Sequence, residues 1–489
     1  MTTVTLAPIS DSETQEATEE STTNQTSATL QHKPLSRRRL PFSVVAKPTG
    51  AACNLDCQYC FFLSKELLYN AQRQQMSETT LERYVAEYLA ASPDGEVTML
   101  WQGGEPTLRG LPFYRRLIEL CEQYRRPEQH VVHAMQTNGT LIDEEWAEFL
   151  RKHDVLVGVS IDGPAEYHDA YRLNRAGRGT HSMVIRGWQR LQDAGVRCNI
   201  LCTVHHANER HPLEVYRYFR DELSADYLQF IPIVERVDPE QLSRVEHGGW
   251  RATGTRRNAD GSGNGSSCHQ VGLLYRQHGN AVTSRSVKPE AYGDFLNTIF
   301  DEWITHDVGR VFVQDFDAAL GALFGQYSVC VHAPECGTNM ALEFNGDVYA
   351  CDHWVEPDWL VGNINDSDFA SLAGTPVMQK FSLKKHAQLP DRCRTCPFLR
   401  MCNGGCPKDR FVSPDVIAGN DTANATNTAT MTNRAPRNLQ NYLCPGFAKF
   451  YDHIRPDMIG MARLLRAGRA PYEIMNPDVR AKVRAKTTR

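Results

Sequence analysis

The stretch Cys53-Asn54-Leu55-Asp56-Cys57-Gln58-Tyr59-Cys60 directly follows a short apolar run, Phe42–Ala46, that is typical of a buried strand. Its cysteines have the spacing C-x3-C-x2-C. Three thiolates in one short loop can bind three irons of a [4Fe–4S] cluster and leave the fourth iron open to another molecule. A zinc site completed by a distant fourth ligand is the alternative for this loop.

The residues after this loop alternate between short apolar runs and segments with helical spacing. Such strand–helix repeats predict a parallel sheet with right-handed crossovers. Six strands are too few for a closed eight-fold barrel, so we predict an α/β fold, an open partial (β/α)6 barrel with its site at the carboxyl ends of the strands. The predicted strands are Phe42–Ala46, Val97–Trp101, Val131–Gln136, Leu156–Ile161, Arg197–Val204 and Tyr227–Ile233.

Further chemistry-bearing residues stand at the ends of the next strands. The second strand ends in Gln102-Gly103-Gly104-Glu105-Pro106, where two glycines let backbone approach a ligand closely. The third and fourth strands end in Gln136-Thr137-Asn138-Gly139 and Ser160-Ile161-Asp162-Gly163. Ordinary turn chemistry is the alternative reading of these last two stretches.

The cysteine triplet, followed by Phe61-Phe62, closely resembles the cluster-binding loop of radical S-adenosylmethionine (SAM) enzymes, and Gly103-Gly104-Glu105-Pro106 resembles their GGEP motif. The resemblance implies that Cys53, Cys57 and Cys60 bind a [4Fe–4S] cluster whose open iron is chelated by SAM. Either Arg172 or Arg175 would pair with the SAM carboxylate. The implied cofactor-binding residues are Phe62, Gln102, Gly103, Gly104, Glu105, Ser160 and Asp162.

A second group of cysteines lies beyond residue 320. It comprises eight possible ligands, the number needed by two fully ligated four-iron clusters or by two zinc ribbons. The order resembles the SPASM extension of radical SAM enzymes, which implies two auxiliary clusters and therefore three [4Fe–4S] clusters in all. The implied sets are Cys330, Cys336, Cys351 and Cys406 for the first, and Cys393, Cys396, Cys402 and Cys444 for the second.

Asp352 directly follows Cys351 and distinguishes one branch of this superfamily. At this place it resembles the general base of anaerobic sulfatase-maturating enzymes, although a carboxylate at the surface, or one that only supports the neighbouring cluster ligands, is the alternative. A carboxylate beside an electron-accepting cluster can couple proton loss to electron loss. The resemblance implies oxidation of a Cys or Ser in a sulfatase polypeptide to Cα-formylglycine, with a flavodoxin or ferredoxin as electron donor.

The composition suggests the following organisation. We predict a disordered tail at 1–38, a barrel at 39–236, a flexible insertion and linker at 237–289 and a SPASM domain at 290–470. That domain would carry a low-complexity insertion at 413–440, and 471–489 would be a C-terminal tail. An Asn345-Gly346 step between two apolar runs predicts a hairpin.

Net charge and hydropathy indicate which classes of partner and which cellular environment to expect. The net charge of −5 gives no reason to expect nucleic acid as a partner. The sequence contains no run of 18 apolar residues, so we expect no membrane span. Without a secretory signal, 15 cysteines in a reducing cytoplasm indicate metal or cluster ligation. Two other functions remain open at this point: a SPASM maturase of a small ribosomal peptide, and a non-catalytic zinc or iron–sulfur scaffold.

Overall fold

The structure is a computed structural model that describes residues 42–69, 75–250, 273–413 and 438–485. The predicted tail at 1–38 lies outside the described residues, as do the Gly/Ser-rich stretch at 251–272 and almost all of the predicted insertion at 413–440.

All six predicted strands form and lie side by side in chain order as parallel neighbours. Their central residues are buried, because helices cover the outer face of the sheet and the inner face lines the interior of the barrel. This confirms the predicted α/β partial barrel. The strands are β1 (Ser43–Ala46), β2 (Gly95–Trp101), β3 (Gln129–Thr137), β4 (Leu156–Ser160), β5 (Cys198–Val204) and β6 (Tyr227–Pro232).

Helices connect these strands and pack their apolar faces on the sheet. Two of them begin with a side-chain cap: Ser77 accepts from the backbone N–H of Thr80, and Asp143 accepts from that of Trp146. The connecting helices are Glu78–Ala91, Leu111–Tyr124, Glu144–Lys152, Ala165–His168, His181–Asp193 and Pro212–Arg217, with 3-10 turns at Phe61–Leu68 and Pro106–Arg109 and a π-turn at Tyr218–Glu222.

The sheet continues beyond the barrel at both edges. Strand β9 (Phe312–Val313) pairs with β6, and β10 (Asn339–Leu342) pairs with β1, both in parallel. The predicted hairpin at Asn345-Gly346 joins β10 to β11 (Asp347–Tyr349), and β12 (Leu360–Asn363) completes the edge. The cysteine-rich C-terminal part is therefore hydrogen-bonded to the first barrel strand.

Further helices build this C-terminal part. Helices Pro289–His306 and Cys444–Arg466 cross closely enough that a Cβ on Gly446 would lie 2.0 Å from the carbonyl oxygen of Pro289. The other helices are Gln314–Ala322, Phe369–Ala373, Pro376–Ala387, Asp391–Arg394 and Leu399–Cys402, with 3-10 turns at Asp352–Trp354, Pro357–Trp359 and Pro407–Asp409 and strands β13 (Arg410–Val412) and β14 (Gln440–Asn441).

The described parts of 237–289 contain regular structure where the sequence predicts a flexible insertion and linker. Strand β7 (Arg236–Val237) pairs with β8 (Ala281–Val282), and helix Leu242–Gly248 leads to Trp250, which packs on Tyr275. Both aromatic rings are buried and form a small separate core with Val237 and Val245. A 3-10 turn, Pro239–Gln241, precedes the helix.

Residues 471–485 are also structured, although the sequence predicts a tail at 471–489. A 3-10 turn, Pro471–Met475, buries Ile474, and helix Pro477–Ala485 is held by an ion pair of 2.6 Å between Arg480 and Asp457. Within the described ranges, no helix combines the length and the apolar character that a membrane span requires.

Candidate functional site

The cysteine triplet lies at the carboxyl end of β1, as the barrel prediction requires. The loop is fixed by its own backbone, since the N–H of Cys60 donates to the carbonyl of Cys57 over 3.0 Å. It is also held by the barrel, because the N–H groups of Asp56 and Gln58 donate to carbonyls of Leu173 and Tyr171. All three cysteines border one cavity at the strand ends.

Burial raises the pKa of all three thiols of the triplet. The pKa of Cys57 rises to about 12, that of Cys53 rises higher still, and that of Cys60 also rises. A thiolate in such a place requires a neighbouring positive charge, and iron supplies it directly. The donor set therefore fits an iron–sulfur cluster.

The two glycines that follow β2 allow the second strand end to pack against this loop. A Cβ on Gly104 would lie 2.1 Å from the carbonyl oxygen of Ala52, and the N–H of Gly104 donates to the carbonyl of Gly50. Gly103 has a φ of +134° that other residues rarely adopt. The glycines thus shape the cluster loop as well as bordering the cavity.

Glu105 lies beneath the cavity and does not border it. Its carboxylate is fully buried and accepts hydrogen bonds from the hydroxyl and N–H of Thr107, the hydroxyl of Thr137 and the N–H of Asn138. Burial raises its pKa, and these hydrogen bonds oppose the rise. Glu105 therefore ties the ends of β2 and β3 together.

Asp162 has a similar position at the end of β4. Arg172 donates to both of its oxygens, at 2.7 and 3.1 Å, and the hydroxyl of Tyr59 donates to it over 2.6 Å. Burial alone would raise the pKa of Asp162, but the Arg172 guanidinium holds it far below its usual range. Arg172 borders the cavity, whereas Arg175 is at the surface, where it donates to the carbonyl of Cys53.

The cavity brings together most of the predicted cofactor-binding residues. The side-chain oxygen of Gln102 is buried there without a hydrogen-bond partner among the described residues, so it is available to a ligand. Glu105 and Asp162 lie behind the residues that border the cavity. The predicted residues that border the cavity are Cys53, Cys57, Cys60, Phe62, Gln102, Gly103, Gly104, Ser160 and Arg172.

Electrostatic interactions join members of each predicted set among the eight C-terminal cysteines. Cys351 interacts electrostatically with Cys330 and Cys406, and Cys336 interacts with Cys330. The second set is likewise coupled, since Cys402 interacts with Cys393, Cys396 and Cys444. Burial is the main cause of their raised pKa values.

In the described ranges, no three His, Cys, Asp or Glu side chains converge closely enough to bind a single metal ion. A four-iron cluster does not need such convergence, because each thiolate binds a different iron.

Asp352 is buried directly after Cys351 and forms an ion pair with Lys47. The Lys47 Nζ lies 2.5 Å from Asp352 Oδ1 and 3.7 Å from Glu343 Oε1. It also lies 3.8 Å from the centre of the Phe62 ring, which borders the cavity. Burial alone would raise the pKa of Asp352, but the Lys47 ammonium lowers it below its usual value.

The segment 273–286 crosses from the barrel to the C-terminal part beside Asp352. The Nζ of Lys65 donates to the carbonyl of Tyr275 over 2.7 Å. Gln277 donates from its N–H to Glu356 and from its side chain to the carbonyl of His353. This crossing segment therefore joins the cluster loop's 3-10 turn to the residues that follow Asp352.

Sequence reasoning missed several residues of this site, among them Lys47, Tyr59, Thr203 and Glu343. Lys47 and Thr203 stand at the carboxyl ends of β1 and β5, where the barrel prediction places the site. A lysine directly after a buried strand was the available signal for Lys47. The partners of Glu343 and Tyr59 are distant in sequence, so no local pattern indicates them.

Two family models match this chain. Residues 48–219 match the radical SAM superfamily, and residues 330–397 match the SPASM iron–sulfur cluster-binding domain.

Relatives match over most of the chain. A serine-type anaerobic sulfatase-maturating enzyme of Bacteroides thetaiotaomicron is 38% identical over 89% of this chain and 94% of its own length. A cysteine-type enzyme of Clostridium perfringens is 30% identical over 87% of this chain and 100% of its own. The solved structure of anSMEcpe with bound AdoMet and the Cp18Cys peptide is 29% identical, with a TM-score of 0.67 over 87% of this chain and 99% of its own. The chain therefore belongs to the anaerobic sulfatase-maturating enzymes, which are radical SAM enzymes with a SPASM domain.

Proposed function

We propose that this chain oxidises a cysteine or serine in a sulfatase polypeptide to Cα-formylglycine under anaerobic conditions, using SAM and three [4Fe–4S] clusters. The observation that carries this proposal is the buried pair of Lys47 and Asp352, which lies behind Phe62 at the edge of the cavity. Family membership favours the sulfatase substrate over a small ribosomal peptide or a non-catalytic scaffold.

The cysteines are assigned to clusters by their grouping. Cys53, Cys57 and Cys60 would bind the cluster that SAM chelates, since they border the cavity together. The eight C-terminal cysteines would bind two fully ligated clusters, which suits electron transfer better than substrate binding. The first set is Cys330, Cys336, Cys351 and Cys406, and the second is Cys393, Cys396, Cys402 and Cys444.

SAM would occupy the cavity between the triplet and the ends of β2 to β5. Gln102, Ser160 and Arg172 present polar groups to that space. Glu105 and Asp162 act indirectly, because their carboxylates bind the protein itself: Glu105 holds the ends of β2 and β3, and Asp162 holds Arg172. Arg172 is therefore the better candidate than Arg175 for the SAM carboxylate.

When bound, SAM at the cluster of Cys53, Cys57 and Cys60 would supply the removal of a hydrogen atom from the target Cβ, and an auxiliary cluster would accept one electron. Asp352 accepts the proton that the target hydroxyl or thiol loses, so that the serine side chain becomes an aldehyde. A cysteine would give a thioaldehyde, which water converts to the same aldehyde with release of hydrogen sulfide.

The charges around Asp352 suit this role. Lys47 holds the Asp352 carboxylate ionised, and only the ionised form can accept a proton. Glu343 shares the same ammonium at 3.7 Å. When Asp352 becomes neutral, Glu343 remains as the partner of Lys47, so no buried charge is left alone.

The substrate and redox partners follow from the same assignment. The target would be an unfolded segment resembling Cys/Ser-x-Ala/Pro-x-Arg, and a flavodoxin or ferredoxin would supply electrons in a reducing cytoplasm. The crossing segment 273–286 would form one wall of the peptide site, because it lies between Lys65 and His353.

The test is an anaerobic reaction of the reconstituted protein with SAM, a strong reductant and three peptides that carry Ser, Cys or Ala at the target position. We expect a loss of about two mass units from the Ser peptide, or about eighteen from the Cys peptide, and none from the Ala control. Asp352→Asn should lose this product while it still cleaves SAM. A protein with full iron content that modifies neither peptide would refute the proposal.

A further inference from the structure

Arg410 is buried at the link between the two proposed auxiliary sets. Its guanidinium donates to the carbonyl oxygens of Asn403 and Gly404 at 3.0 Å each and to that of Gly405 at 3.4 Å. These three residues are the entire link between Cys402 of the second set and Cys406 of the first. The guanidinium therefore lies against the segment that both sets share.

The conformation of this link turns its carbonyls towards Arg410. Asn403, Gly404 and Gly405 all have positive φ angles, of 47°, 71° and 62°. Three consecutive left-handed residues are unusual, and Asn403 adopts this conformation without being glycine. A Cβ on Gly404 would lie 2.8 Å from Arg410 Nη2, so a side chain there would displace the guanidinium from the link.

No carboxylate is among the hydrogen-bond partners of Arg410 in the described part of the chain. Its remaining bonds go to the carbonyls of Lys385 and Gln388, at 2.8 and 3.2 Å. A buried cation is costly unless an anion compensates it. The thiols of both sets are within its electrostatic reach, since Arg410 opposes the burial-induced rise in the pKa of Cys336 and of Cys393.

Lys385 is a second cation of this kind, and its contacts are with the first set. It is fully buried, and its Nζ donates to the carbonyls of Cys330 and Val331 at 2.8 and 2.7 Å. Lys408 differs from both, because it forms an ion pair of 2.7 Å with Asp409 that compensates its charge.

We propose that Arg410 is a counter-cation shared by both auxiliary clusters, that Lys385 serves the first cluster alone, and that both raise the reduction potentials. The proposal rests on the ligand sets assigned above. A four-iron cluster with four thiolates is an anion that gains a further negative charge on reduction. A buried cation nearby stabilises the reduced form and so raises the potential.

The test is an EPR-monitored redox titration of the reconstituted full chain. Arg410→Gln should lower the midpoint potentials of both auxiliary clusters, and Lys385→Met should lower that of the first cluster alone. The EPR signals of the first and second auxiliary clusters can be assigned with the variants Cys336→Ala and Cys393→Ala, respectively. The signal of the cluster at the cysteine triplet is assigned by its change when SAM is added. Arg392→Gln is the matched control, since Arg392 is exposed beside Cys393 and water screens its charge.

Arg410→Lys separates charge from hydrogen bonding, since it keeps the positive charge and loses the fork of donors. We expect it to retain most of the potential that Arg410→Gln loses, and equal losses in the two variants would overturn the proposal. Unchanged potentials in a fully loaded Arg410→Gln protein would overturn it too. If that variant loses iron, the midpoint potentials of Arg410→Lys and Lys385→Met still test the proposal. A wild-type chain with fewer than about twelve irons would instead refute the ligand sets.

Discussion

The ammonium of Lys47 lies 2.5 Å from the carboxylate of Asp352, and both groups are buried where the first barrel strand meets the C-terminal part. The parallel pairing of β1 with β10 brings them together, since Lys47 follows β1 and Asp352 follows the hairpin that begins with β10. The sheet itself thus positions the proposed base behind Phe62, which borders the cavity.

Lys47→Met should uncouple SAM cleavage from peptide oxidation. Without the ammonium, the buried carboxylates of Asp352 and Glu343 would keep only the influence of Lys65, so the pKa of Asp352 would rise and less of it would be ionised and able to accept a proton. We expect formylglycine to form at least about 100-fold more slowly, as for loss of a general base, while 5′-deoxyadenosine still forms. The measurement is the ratio of aldehyde to deoxyadenosine. The exposed Lys152→Met serves as control, and an unchanged ratio in Lys47→Met would contradict the role of the pair.

Gly104→Ala should prevent assembly of the first cluster. The added Cβ would meet the carbonyl oxygen of Ala52 at 2.1 Å and displace the loop that carries Cys53. We expect iron to fall from about twelve to about eight per chain, by the ligand counts of one open and two closed clusters. Gly248→Ala is the control, because its Cβ would meet nothing within 4 Å. Full iron content in Gly104→Ala would show that the loop tolerates the displacement.

Glu105→Gln should weaken both the fold and the SAM site. The amide nitrogen of glutamine would face an N–H or hydroxyl donor, so part of the set from Thr107, Thr137 and Asn138 would lose its acceptor. We expect a loss of about 1–3 kcal/mol in stability, together with weaker SAM binding. Thermal unfolding and SAM titration measure these two effects. Glu145→Gln removes only an exposed pair with Arg115 and should cost less than about 1 kcal/mol. Equal behaviour of the two variants would count against the role of Glu105.

Lys65 should make stability rise with pH on the alkaline side. Burial lowers its pKa to about 8 in the folded protein, whereas a lysine in the unfolded chain titrates near 10.5. Between these values the unfolded state binds more protons, so stability increases as the pH rises. Lys65→Met should remove this contribution, so that the Tm of the wild type minus that of the variant increases between about pH 8 and 10. The control is Lys152→Met, and an identical pH profile for wild type and Lys65→Met would be the contrary result.

The sequence predicts the barrel well because its strands are buried on both faces and read as continuous apolar runs. The same reasoning places Cys53, Gly104 and Ser160 at strand ends, where the structure has them. Cys444 interacts electrostatically with Cys402, although a low-complexity stretch separates the two in sequence, and their common cluster stays a prediction from the resemblance.

Other features depend on contacts that no local pattern encodes. The pairing of β1 with β10, the ion pair of Lys47 with Asp352 and the carbonyl contacts of Arg410 all join distant or irregular segments. The strands and helix in the described parts of 237–289 were not predicted, because the neighbouring Gly/Ser-rich composition is typical of a flexible insertion. Trp250 and Tyr275, which flank the Gly/Ser-rich stretch, were the signal that the described parts of 237–289 are packed.

The most direct test of the account uses a peptide whose target residue carries deuterium at Cβ. With reconstituted protein, SAM and reductant, the account predicts an aldehyde product and deuterium in the 5′-deoxyadenosine, because the hydrogen atom leaves from Cβ. An aldehyde that forms without any deuterium in the deoxyadenosine, or deoxyadenosine that forms while the peptide stays unchanged, would contradict it.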